Sequence, residues 1–296
     1  MVWLACLALL PYGNAQAETA VLPYWQAPFP AFYNQSGQFL QAMHRAEKSE
    51  PLAESISGLT LPHHLLAIDL MAKGWALARQ QKYDRIILLS PDHFRRGATP
   101  FSLPERDFST CLGPVKLDRA ALAQLLGNPL VSKSGLFSHE HGIQAHLPFV
   151  AHYFPETPVV PLALDISSKP EEWDALAESL RPLLTPRTLI VQSTDFSHYL
   201  TLLEADQHDA ETLRVINSGQ PELVKNLSQP AHLDSRAAQY LQMKLQREIY
   251  QAHVTVTDQA NSCRYLRPGE TPPLRTTSYI VQIYSPTSAS AASGPE

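Results

Sequence analysis

Twelve histidines stand in a chain of 296 residues, and the placement of three of them is what could do chemistry. His63 follows Pro62 directly after the apolar run Gly58–Leu61. His93 follows Ser90-Pro91-Asp92 at the end of the run Arg85–Ser90, and His198 follows Ser193-Thr194-Asp195-Phe196-Ser197 after the run Leu189–Ser193. Three imidazoles behind three predicted strands would face one crevice if those strands are parallel neighbours. Neutral imidazoles converging on a point suit a divalent transition metal. Asp92 and Asp195 each lie two residues after a serine. They read either as carboxylates that accept a ligand's other ring N–H or as turn residues bonded to their own backbone.

Two more segments carry titratable groups. The run Ser138-His139-Glu140-His141-Gly142 lacks the two-residue spacer that puts zinc-protease ligands one helical turn apart. Its functional reading is a polar wall beside the metal, with Glu140 or His141 as general acid/base. His139 and His146 read as parts of a solvated loop. Asp234, in Ala231-His232-Leu233-Asp234-Ser235-Arg236, precedes a predicted helix and can face the metal, while Asp234 or Ser235 caps that helix. The candidate metal ligands are therefore His63, His93, His198 and Asp234, and the candidate catalytic residues are His141 and Glu140.

The elements that must position these residues follow from apolar periodicity. Helical spacing marks Ser36–Ala46, Ile68–Gln81, Asp118–Leu126, Lys169–Leu180, Leu202–Ser218 and Asp234–Glu248. Short apolar runs at Gly58–Leu61, Arg85–Ser90, Val159–Leu164, Leu189–Ser193, His253–Asp258 and Ser278–Tyr284 read as buried strands. This alternation predicts a single α/β domain over 25–284, a layered sandwich whose central, mostly parallel or mixed sheet is flanked by helices. In such sheets, sites gather at the carboxyl ends of the strands.

Composition excludes several classes. With 23 basic against 28 acidic side chains and no basic stripe, nucleic-acid binding has no support. Three cysteines cannot build a disulfide scaffold or a Cys-rich zinc module. The apolar run Met1–Leu10 followed by Ala15-Gln16-Ala17 reads as a secretory signal over residues 1–17. That run is too short for a stable bilayer anchor, so the expectation is an exported, periplasmic chain with no membrane span in its mature part. Export would leave Cys111 and Cys263 able to pair. The Ser/Ala/Pro-rich stretch 285–296 reads as a disordered tail.

In this order, the motifs resemble the Memo family, which includes the AmmeMemoRadiSam system protein B, and which is similar in fold to the class III extradiol (LigB-like) dioxygenases. The matching pieces are Phe32-Tyr33, Pro62-His63-His64-Leu65-Leu66-Ala67, Ser90-Pro91-Asp92-His93-Phe94, Cys111-Leu112-Gly113-Pro114-Val115, Glu140-His141-Gly142 with Leu147-Pro148-Phe149, Ser193–Tyr199, and Thr276-Thr277-Ser278-Tyr279. The resemblance implies a metal pocket holding His63, His93 and His198. Where the family commonly has a cysteine followed by glycine, this chain has Asp234-Ser235, and its Leu65-Leu66 replaces the usual Gly-Tyr. A carboxylate in place of a thiolate favours a harder metal: Fe(II) first, then Zn or Cu. The implied activity is a metal-dependent oxidoreductase of dioxygenase type acting on a small-molecule substrate. The alternatives are a non-catalytic copper- or iron-binding protein in the exported compartment and a metal-dependent hydrolase. Nothing in the sequence speaks to a protein partner.

Overall fold

Three strands whose ends carry the candidate site lie side by side. They are β1 (Gly58–Leu61), β8 (Thr188–Ser193) and β2 (Arg85–Asp92). β8 sits between the other two and is parallel to both, with Leu61 opposite Ser193 and Leu89 opposite Gln192. Their carboxyl ends therefore open on the same edge, as expected for sites in open α/β sheets. A fourth strand, β7 (Val159–Asp165), extends this parallel block on the far side of β2.

The structure, a computed structural model, describes residues 27–48, 54–271 and 273–287. Around the parallel block the sheet becomes mixed. On one side β11 (Thr276–Pro286) pairs antiparallel with β1, and β10 (Ala252–Asn261) pairs antiparallel with β11. On the other side β3 (Phe101–Pro104) runs antiparallel to β7, and β6 (Val131–Ser134) lies parallel beyond it. The ninth strand, β9 (Phe196–Leu200), pairs antiparallel with β11. A separate hairpin joins β4 (Phe108–Thr110) to β5 (Gly113–Val115).

Side-chain alternation along β1 assigns the helices to opposite faces. Leu61 points at α2 (Ile68–Ala78), where a Cβ on Gly74 would collide with its side chain. Thr60 points the other way and donates to Gln192 (2.9 Å), which in turn donates to Gln239 (3.1 Å) on α8 (Arg236–Leu245). The sheet is thus covered on both faces, in one continuous domain. α1 (Ser36–Ala46) backs α2, and α6 (Pro170–Leu180) backs α8. Burying Leu59, Leu61, Ile190 and Val191 completely stabilises the block by about 1.5–3 kcal/mol each.

The sandwich architecture and the mixed sheet agree with the sequence expectation, as do the bounds of α1, β1 and α7 (Leu202–Ser218). α7 is set locally: Thr201 and Glu204 form its capping box, and Gly219 ends it at a φ of 65°. The helix expected from Asp234 begins at Arg236, is capped by Ser235, and ends at Leu245 in a single π turn, Gln246–Tyr250. β3, β4, β5, β6 and β9 were not predicted, nor were α4 (His141–Gln144) and α5 (Leu147–Tyr153). β11 continues through Ser285 and Pro286, past the expected domain end, while residues 288–296 lie outside the described residues. The expected signal, residues 1–17, lies outside them too. Cys111, in the β4–β5 turn, and Cys263 are both free thiols. Among the described residues no helix is long and apolar enough to cross a membrane.

Candidate metal centre

At the shared edge of β1, β8 and β2, His63, His93 and His141 each offer a ring nitrogen within 4.8 Å of the others. Nitrogens bound to one ion at about 2.1 Å can lie at most about 4.2 Å apart, so this spread is close to that of a ligand set. The ring centroids of His93 and His141 are 4.0 Å apart, and His63 lies 4.8 and 5.3 Å from them.

Each ring is oriented from behind. His63 Nδ1 is 3.0 Å from Ser193 Oγ, and that hydroxyl donates its only hydrogen to the Gly142 carbonyl at 2.6 Å. Ser193 must therefore accept from His63, which puts the proton on Nδ1 and leaves the Nε2 lone pair facing the centre. His93 Nδ1 is 2.6 Å from Glu140 Oε1, so it too donates, and its Nε2 points inward. Glu140 Oε1 also takes the Gly142 N–H at 3.0 Å, and Oε2 takes the His93 N–H at 3.0 Å. Gly142 thus links the supports of both rings. A Cβ there would collide with Ser90 Oγ and come within 3.2 Å of His93 Cε1, so the packing demands glycine.

Asp234 reaches the centre by a route legible only in three dimensions. Leu233 bridges to Phe196 of β9, and the Asp234 N–H bonds the Asp195 carbonyl at 3.1 Å. Ser235 supplies the helix cap at 3.1 Å to the Ala238 N–H, which frees the Asp234 carboxylate. Its Oδ2 lies 3.2 Å from His63 Nε2 and 3.8 Å from His93 Nε2, and its Oδ1 is buried without a partner. An orphaned carboxylate oxygen beside three imidazoles is a donor set that fits a divalent cation.

The charges have physical causes. Burial and the neighbouring His93 and His141 hold His63 well below the usual imidazole range. Burial and His93 lower His141 to about 4. Burial pulls His93 down as well, but the carboxylates of Asp234 and Glu140 outweigh it and lift His93 to about 10. Burial and the charge of Asp234 raise Asp195 to about 8.

Of the six expected site residues, the structure brings five together: His63, His93, His141, Glu140 and Asp234. His198 stands beside this group but outside the three converging nitrogens, with Nδ1 buried and unpartnered. It is carried off by β9, where it pairs with Thr277 of β11. Asp92 binds the N–H groups of Phe94, Arg96 and Gly97 at 3.1, 2.8 and 2.9 Å, the turn role rather than the ligand-orienting one. Asp195 takes the backbone N–H of His63 at 3.0 Å, while the ring N–H of His63 goes to Ser193 instead. His146 is fully buried, not solvated, and accepts the Trp75 indole N–H at 3.1 Å. Ser193 and Gly142 have support roles that the linear sequence did not signal.

The family profile described as Memo-like protein matches residues 30–267. A MEMO1 family protein of Thermotoga sp. strain RQ2 is 28% identical over 174 residues, covering 56% of this chain and 62% of the relative. One from Pyrobaculum arsenaticum is 27% identical over 188 residues, 59% of this chain and 66% of the relative. The matched part of the chain spans less than two thirds of the length of these curated relatives. Among solved structures, an uncharacterized protein from Escherichia coli K12 aligns with a TM-score of 0.45 and 15% identity, over 77% of this chain and 99% of that one.

Proposed function

This chain belongs to the Memo family, and from that premise we propose that it is a metal-binding protein acting as a metal-dependent oxidoreductase of dioxygenase type on a small molecule. The observation that carries the reading is the convergence of His63, His93 and His141 nitrogens within 4.8 Å, with Asp234 beside them. In this reading His63, His93 and His141 hold the ion and Asp234 completes the set, with Fe(II) preferred over Zn or Cu. Bound there, the ion supplies a Lewis acid with open positions for substrate oxygens. Glu140 positions His93, and Ser193 positions His63. Asp195, whose carboxyl is pushed up by burial and by the charge of Asp234, lies within 3.7 Å of His63 Nε2 and would be the carboxyl placed to hold or move a proton beside the ion. Export to the periplasm and the relation to the extradiol dioxygenase fold are part of the same proposal.

The test is elemental analysis of anaerobically purified protein, followed by oxygen uptake with a panel of catechols. About one ion per chain is expected, lost in the His63→Ala/His93→Ala/His141→Ala variant. Full metal content in that variant would remove the proposal's basis. Metal without oxygen uptake would leave a non-catalytic metal-binding protein.

A further inference from the structure

We propose that the outer edge of β10 pairs with the same edge of a second copy of this chain, antiparallel and about a two-fold axis at Val254. The sheet runs β10-β11-β1-β8-β2-β7-β3-β6, so β10 and β6 are its two edges. An edge strand presents unpaired N–H and C=O groups and is a template for another strand unless something blunts it. β6 is blunted: it has four residues, and Lys133 is exposed among them. β10 has ten residues and contains no lysine, arginine or proline. Its one acid, Asp258, lies past the bulge at Val256/Asp258 and is tied to Lys73 at 2.7 Å.

Which groups of β10 are free follows from its pairing with β11. Thr287 donates its N–H to the Gln251 carbonyl at 3.4 Å, which makes residues 251 and 287 a hydrogen-bonded pair. Such pairs alternate along an antiparallel ladder. In the register that sets His253 opposite Ser285 and Thr255 opposite Ile283, His253 and Thr255 therefore spend their backbone groups on β11. The Tyr284 carbonyl obeys the same alternation, since it turns away from β10 and accepts the Ser57 N–H at 2.9 Å. Ala252, Val254 and Val256 are left with N–H and C=O groups aimed outward. Among the described residues nothing outside the ladder bonds these groups. The Val254 and Val256 side chains rest on the cluster of Phe196, Ile216 and Ile280, which holds the edge in place.

The free groups match their own pattern. With Val254 opposite Val254, Ala252 of each copy meets Val256 of the other, and three hydrogen-bonded pairs exchange about six bonds. The exposed His253 and Thr255 then face each other across the join, and no charge meets a like charge. The bulge bends the strand after Val256 and ends the pairing there. The stretch 288–296, which follows β11, holds no β-branched or aromatic residue and suits the edge poorly. β11 stands between β10 and β1, so the pairing does not involve the metal centre.

The experiment is sedimentation equilibrium of the purified chain from about 1 to 200 µM, with hydrogen exchange resolved at the Val254 and Val256 amides. Two variants accompany it. Val254→Pro removes an outward N–H and no bond to β11, a position where an edge strand tolerates proline. His253→Lys/Thr255→Lys places cations opposite each other at two exposed positions and leaves the backbone intact. Thermal unfolding checks the fold of each. The expected result is a dimer whose Val254 and Val256 amides gain protection as concentration rises, with association at least about tenfold weaker in both variants. A monomer across the whole range would overturn the proposal, as would dimerisation unchanged in the lysine variant. Amides protected equally at every concentration in a monomer would assign the edge to another segment of the same chain, and would overturn it too.

Discussion

Glu140 shows how much one side chain can be asked to do. Both its oxygens are engaged: Oε1 by His93 Nδ1 and the Gly142 N–H, Oε2 by the His93 N–H. It is 0% exposed. The sequence marks Glu140 as a general acid/base, but a buried carboxylate bonded at both oxygens to the peptide and ring of its neighbour is placed to hold that ring. Glu140→Gln keeps the shape, yet its amide must turn one NH₂ toward an N–H donor, leaving a buried clash of donors. Loss of an outer carboxylate on a ligating imidazole typically costs 10–100-fold in metal affinity. The expected outcome is a Zn affinity about 10–100-fold weaker by competition with a chelator, with one site per chain retained. An unchanged affinity would show that Glu140 does not support His93.

At the scale of elements, the helical face of the sheet carries an unusual polar layer. Gln192, Gln239, Gln242, Gln246 and Gln282 are all fully buried between the strands and α8. Gln242 reaches the carbonyls of Leu59 and Ile190 at 3.4 and 3.3 Å, and Gln246 reaches that of Ser57 at 3.0 Å. Gly58 makes room for them, since a Cβ there would collide with the amides of Gln242 and Gln246. Gly58→Ala must displace that network, and overpacking of this kind costs about 1–3 kcal/mol; urea denaturation should show that loss, and a midpoint unchanged from wild type would mean the layer yields freely. Legibility in the sequence divides along the same lines. β1, β8 and β2 were readable because continuous apolar runs ending in polar turns mark buried parallel strands, and their adjacency placed His63 and His93 correctly beside each other. β3 to β6 were not, because Phe101–Pro104, Phe108–Thr110, Gly113–Val115 and Val131–Ser134 mix Ser, Pro, Gly and Lys into three or four residues and show no continuous apolar run to separate them from loop. β9 was hidden for another reason. Ser90-Pro91-Asp92-His93 and Ser193-Thr194-Asp195 look alike, but two extra residues precede His198, and they start a new strand that carries it onto β11. His141 fills the place beside His63 and His93 from α4, a single helical turn whose placement depends on Gly142 packing against Ser90.

The charge of the whole molecule and its buried groups sets how binding must depend on pH. The free protein at neutral pH holds His63 and His141 neutral, because burial and like charges push both down, His141 to about 4. Neither carries a competing proton at neutral pH. His93 is the exception: Asp234 and Glu140 hold its proton to about 10. A ligating imidazole must be neutral at the bonding nitrogen, so an ion entering the centre displaces that proton at any pH below about 10. The sign follows directly. Raising the pH lowers the competing proton concentration, and affinity should rise at least about tenfold per pH unit between roughly pH 5.5 and 9, more steeply below about pH 8 where Asp195 also gives up a proton. Asp195, held protonated to about 8 by burial and by Asp234, adds part of a second proton near neutrality, since a cation beside it favours the ionised form. Titrating Zn by calorimetry at pH 7 in buffers of different ionisation enthalpy should therefore report between one and two protons released per ion. Zero release would mean that His93 does not give up its proton to the metal, and that the ion is held by a different set of groups from the one this edge of the sheet presents.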